Sequence, residues 1–188
     1  MMVPTLAADL PSFFGLFGML CLAVWPLFRS RVAMLSVQLA AVSGLSLHYA
    51  LLGVTTAATV DGLGALQIAL VLVLGTRSEL RWIGYLLAIA MVASSVVTWQ
   101  GTVSLLAATG MALIAIGRLQ ERAGPMRALV LAGGPFWLAH DLMVGSPVAV
   151  ADAASLAFGL GRLAWERIKR RRPRRPRVPL AFPMHGVG

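Results

Sequence analysis

The sequence predicts an all-α polytopic membrane protein with seven transmembrane helices, arranged as two parallel three-helix repeats joined by a linker helix. Three observations carry that expectation. Apolar residues make up 59% of the 188 residues and charged residues only 12%, about half the charged share of a soluble domain. Apolar stretches follow one another with short links between them. All sixteen Lys and Arg residues fall on one side, at alternate links, the span ends that adjoin them and the C-terminal segment.

Crossing a bilayer takes about 20 apolar residues of helix. The spans expected are Asp9 to Phe28, Val32 to Gly53, Thr55 to Gly75, Leu80 to Trp99, Thr102 to Gly117, Pro125 to Val144 and Pro147 to Trp165. Seven such helices on links of a few residues leave too little polar surface for a soluble globule. The composition also excludes a disordered chain, and Cys21 is the only cysteine, which excludes a disulfide scaffold. Residues 1–8 carry no Lys or Arg and Asp9 precedes the first apolar run, so the start reads as a permanent helix rather than a cleaved signal.

The links after spans one, three, five and seven carry Arg29, Arg31, Arg77, Arg81, Arg118, Arg122 and Arg127, then Arg162 onward into the tail. The other links carry no basic residue. The positive-inside rule then puts the N-terminus outside and the C-terminus in the cytoplasm. The seven-helix domain is expected over residues 1–168, with repeat one at about 9–75, the linker helix at about 80–99 and repeat two at about 102–165. Residues 169–188 form a basic, proline-rich cytoplasmic tail, expected to be disordered. Its Lys169, Arg170, Arg171, Arg172, Arg174 and Arg175 suit anionic lipid headgroups. No aromatic residues interleave them to stack bases, so nucleic acid is not the expected partner.

The repeat rests on an offset of 92 residues. It brings Gly18 onto Gly110, Met34 onto Met126, His48 onto His140 and Gly53 onto Gly145. Small residues recur every fourth position at Ala57, Asp61, Ala65 and Ala69, and again at Ala149, Ala153, Ala157 and Gly161. Such stripes let helices approach closely in lipid, so both are expected to pack inside their triplets. Parallel repeats of this kind occur in SWEET transporters, and the architecture resembles the PQ-loop and SWEET class. The Pro-Gln pair of that class is missing: span one has Trp25-Pro26-Leu27, and the residue matching Pro26 is Arg118.

Several short segments, in order and spacing, resemble the YgjV-type family of bacterial inner-membrane proteins. They are Leu35-Ser36-Val37, His48 with Leu51-Leu52-Gly53, Thr76-Arg77-Ser78, Trp137 with His140, Gly145-Ser146, and Gly159-Leu160 before Arg162. The resemblance runs from about Arg31 to Arg167, and the tail departs from it. It implies a place in the inner (cytoplasmic) membrane of a bacterium and supplies no activity.

Ionisable groups inside spans are costly and mark candidate sites. His48 lies five residues before Gly53, about 7.5 Å of helix rise, and Asp61 lies at similar depth on the next helix. His140, Asp141 and Asp152 stand similarly around Gly145, although Asp152 matches Val60 rather than Asp61. A His–Asp pair on either side could exchange a proton with the outside; structural hydrogen bonding between helix ends is the competing explanation. Gln38 could hydrogen-bond a solute and Trp137 could line its cavity. Pro135 is expected to kink span six and free a backbone carbonyl four residues earlier. No metal-ligand spacing, nucleophile elbow or phosphate loop occurs, so no catalytic residue, metal, cofactor or enzymatic activity is expected. The function expected is binding or transport of a small solute, proton-linked; the alternative is a non-transporting scaffold that recruits partners or lipid through its tail. Neither the solute nor the oligomeric state is legible.

Overall fold

A computed structural model describes residues 6–75, 77, 79, 81–97, 99 and 101–171. Among them are seven α-helices and no strand: α1 (Leu6–Val24), α2 (Arg31–Leu51), α3 (Thr55–Leu74), α4 (Arg81–Val97), α5 (Thr102–Arg118), α6 (Ala123–Val144) and α7 (Val148–Arg171). Neighbours in sequence pack together throughout, and α1 also packs on α7 and α3 on α5. The linker α4 leans on α3 and α5.

Several helix ends have a local reason. Pro26 cannot donate to the turn before it, and α1 closes in a 3-10 turn over Trp25–Leu27 rather than running on to Phe28. Ser30 caps α2, its hydroxyl accepting from the Ala33 amide at 3.1 Å. Gly53 and Gly145 end α2 and α6 with φ of 75° and 67°, a conformation that a Cβ disfavours. α7 continues to Arg171, beyond the expected span end at Trp165 and into the basic segment assigned to the tail.

The molecule buries polar groups and exposes large apolar ones. Gln38, Gln67, Arg118, Arg127, Asp141, Asp152 and Ser155 are buried, whereas Leu16, Val73, Val97, Leu142 and Val150 are more than half exposed. That inversion suits lipid as the surrounding solvent. Among the described residues four helices are long and apolar enough to cross a membrane: Leu10–Leu27, Arg31–Leu51, Ala57–Leu74 and Val148–Lys169. α4 and α5 are apolar but have only 17 residues each, about 25 Å of rise. α6 is long enough, but Arg127, Gly133-Gly134-Pro135, His140 and Asp141 dilute its hydropathy.

At the arginine-bearing end, an apolar cluster of Trp25, Met34, Leu35, Leu119, Met126 and Val130 fills the axis. Polar clasps hold the links over it. Arg31 Nε donates to the Gln120 carbonyl at 2.7 Å. The buried Arg127 donates to the Phe28 carbonyl at 2.7 Å and to Glu166 at 3.0 Å, and Arg162 also reaches Glu166 at 2.9 Å. Arg127 thus serves as an internal clasp rather than a free surface charge. Gln67 ties the linker in place by donating to the Gly84 carbonyl on α4 at 3.1 Å and the Ala115 carbonyl on α5 at 3.4 Å.

Two helix crossings are close because they are built on glycine. A Cβ on Gly18 would come within 2.9 Å of the Ala41 carbonyl oxygen, and one on Gly110 within 3.2 Å of the Gly133 carbonyl oxygen. Both pairs are related by the 92-residue offset.

The small-residue stripe expected to pack on α7 needs correction. Of the expected stripe Ala149 is buried, but Ala153, Ala157 and Gly161 are exposed, and the buried face carries Ala151, Ser155 and Gly159, with Asp152 beside them. α7 holds two stripes of the same period, turned by about 200°. Asp152 and Ser155 decide between them, because polar groups facing lipid would lose their partners.

Candidate functional site

A cavity of about 50 Å³ lies between α1 and α2 on one side and α5, α6 and α7 on the other. Its polar lining is Gln38, Arg118, Trp137, Asp152 and Ser155. Such a volume holds a few water-sized groups.

Arg118 is the last residue of α5, yet its side chain turns back into the bundle and is buried. Nε donates to Gln38 Oε1 at 3.2 Å, the guanidinium's only hydrogen bond among the described residues. Gly64 leaves room for it: a Cβ there would stand 3.3 Å from the guanidinium nitrogen Nη1. Asp61, one turn earlier on α3, supplies the opposing charge. The sequence alone placed Arg118 among the cytoplasmic charges; its burial is the correction, and a counterion and a glycine make it tolerable. Gln38 is 3% exposed, and its Nε2 finds no partner among the described residues.

Toward the opposite end, the carboxyl of Asp152 faces that of Asp141. His140 Nδ1 and Asp141 Oδ1 are hydrogen-bonded at 2.9 Å, and the His140 ring meets Trp137 edge-on. Tyr49 faces Ser146 and lies within the field of Asp61, Asp141 and Asp152. His48 Nδ1 bonds to the Pro11 carbonyl at 2.6 Å; a carbonyl only accepts, so that nitrogen carries the proton.

Gln38, Trp137 and Asp152 therefore line one cavity, with Asp141 and His140 behind them. The expected His48–Asp61 and His140–Asp152 pairs do not form. Pro11 gives His48 a carbonyl at closer reach, Arg118 attracts Asp61, and Asp141 stands between His140 and Asp152. α6 runs unbroken through Pro135, whose ring is exposed; its neighbours Leu131 and Gly134 line the cavity instead. At the basic end, Lys169 stands over the Trp165 ring at 5.1 Å. The side chains of Arg170 and Arg171, and the whole of Arg172, Arg174 and Arg175, lie outside the described residues. Among the described residues no three His, Cys, Asp or Glu side chains are placed to hold a metal ion.

Sequence reasoning missed Arg118, Ser155 and Tyr49. Arg118 carried a signal, since it takes the place of Pro26 at the 92-residue offset. Ser155 and Tyr49 carried none beyond polarity near a helix face.

The family comparison covers the cavity. A family model described as bacterial inner membrane protein, Imp-YgjV, matches residues 9–167. The chain belongs to the Imp-YgjV family. The match begins earlier than the resemblance read from Arg31, taking in α1, and it includes every residue of the cavity. No curated protein and no solved structure matches the chain.

Proposed function

We propose that this Imp-YgjV protein crosses the inner membrane seven times, with its N-terminus outside, and that it binds and carries a small solute in the central cavity. The single observation that carries this reading is the cavity itself, with a buried arginine, an unpartnered amide and a carboxyl facing one space. Burying such groups costs several kcal/mol in the absence of partners, and a bound solute supplies them. Proton linkage is part of the proposal and is supported by the facing carboxyls of Asp141 and Asp152 beside the cavity.

Parallel three-helix repeats in the manner of the PQ-loop and SWEET class form part of the proposal. Three pairs of cavity residues support it: Leu22 with Ile114, Gln38 with Val130 and Val42 with Gly134 are each 92 residues apart, and all six line the cavity. The contacts of α1 with α7 and of α3 with α5 exchange under the same offset. An axis through the cavity accounts for both. The basic residues from Lys169 onward then lie at the cytoplasmic surface and bind anionic headgroups.

The apolar seal over the arginine-bearing end favours a second reading, a scaffold that never opens. Thermal melts of the purified protein against sugars, amino acids and carboxylates separate the two. Transport predicts a stabilising solute whose effect disappears in Ser155→Leu, which fills the cavity. No stabilising solute, or the same response in the filled variant, would leave the scaffold. Reporter fusions test the orientation; a C-terminus found outside would overturn it.

A further inference from the structure

The two ends of the cavity differ in chemistry. One offers N–H groups alone: the unpartnered Gln38 Nε2 and the Arg118 guanidinium, whose Nε is already engaged with Gln38 Oε1. The other offers the Asp152 carboxyl, backed by Asp141, together with the Ser155 hydroxyl. The walls between are apolar, formed by Val42, Ile114 and Leu131.

Charge narrows the choice of ligand. Asp61 balances Arg118, and the facing carboxyls of Asp141 and Asp152 leave the opposite end acidic. A simple anion would satisfy the N–H groups but add further negative charge where little water screens it. A simple amine would neutralise the carboxyl pair and leave Gln38 Nε2 idle. A molecule with a carboxylate at one end and an ammonium at the other satisfies both ends and brings no net charge.

We propose that the cavity binds a small zwitterionic amino acid, its carboxylate on Gln38 Nε2 and Arg118 and its ammonium on Asp152 and Ser155. A volume of about 50 Å³ admits a solute of a handful of heavy atoms, and Trp137 crowds the space beside it, so the class is glycine or alanine. This inference rests on reading the cavity as a solute site.

The test is calorimetry on the full chain in lipid nanodiscs with glycine, acetate, methylammonium and glycerol. Glycine is expected to bind at least tenfold more tightly than the other three. Asp152→Asn keeps the shape and removes the charge; it should weaken glycine at least tenfold with helical circular dichroism unchanged, and leave acetate unaffected. Gln38→Met should weaken glycine and acetate alike. Acetate, methylammonium or glycerol binding as tightly as glycine would overturn the amino-acid assignment while keeping the solute site. So would undiminished glycine binding in a folded Asp152→Asn protein. If none of the four ligands binds, the amino-acid assignment falls, and the solute site falls with it only when the thermal melts against sugars, amino acids and carboxylates are silent as well.

Discussion

The helices α1–α3 and α5–α7 share their steric framework and differ in nearly every polar residue it carries. Gly18 and Gly110 each bring a neighbouring helix's backbone close, Met34 and Met126 are both fully buried, and Gly53 and Gly145 follow α2 and α6 with similar positive φ. At the cavity the correspondence breaks. Gln38 faces Val130, and the offset pairs Arg118 with Pro26, Trp137 with Leu45, Asp152 with Val60 and Ser155 with Leu63. The histidines also diverge: His48 bonds to a backbone carbonyl and His140 to a carboxylate. Packing thus constrains both halves alike, because close approach depends on the size of a residue. The chemistry is free to sit on one side, which gives the cavity two unlike ends.

Substitutions at paired positions can break or sharpen this comparison. The largest effect is expected at Arg118. Arg118→Leu strands Asp61 in the interior, at a cost of about 3 kcal/mol or more, whereas Pro26→Leu at the matching position should cost far less. Chemical unfolding in detergent measures both; equal losses would mean that the guanidinium contributes nothing beyond its volume. Next come Gly18→Ala and Gly110→Ala, each expected to cost about 1–3 kcal/mol because the added methyl meets backbone. A large loss in one and none in the other would show that the two crossings are not equivalent.

Gly53→Ala and Gly145→Ala should each cost about 1–2 kcal/mol through the left-handed backbone alone, since a Cβ at either position has nothing within 4 Å. The smallest effect on stability is expected at the histidines. His48→Ala loses one hydrogen bond, about 1 kcal/mol, and should leave solute-dependent stabilisation intact. His140→Ala should alter that stabilisation, because its partner Asp141 backs the cavity carboxyl. Equal solute responses in the two variants would detach His140 from the site.

Much of the architecture was legible from composition and the spacing of apolar stretches. The helices, most of their ends and the alternate placement of arginines follow from local rules about caps, proline, glycine and hydrophobic length. The helix ends misjudged were those of α1 and α7, where a 3-10 turn and a run of arginines departed from the simple apolar pattern. Of the cavity residues, Gln38, Trp137 and Asp152 stood out as polar or aromatic groups inside apolar spans. Their partners did not, since partnership depends on rotation of each helix about its axis.

By itself the sequence determined that this chain is a bundle of apolar helices suited to a membrane, since hydrophobicity and backbone conformation are local properties. Only the tertiary structure decided which face of α7 turns inward, that Arg118 folds back into the bundle within the field of Asp61, and that His48 belongs to Pro11. Those outcomes depend on which of several polar groups reaches a partner first within a packed interior. That competition is settled among side chains distant in the chain, where burial without a partner is costly.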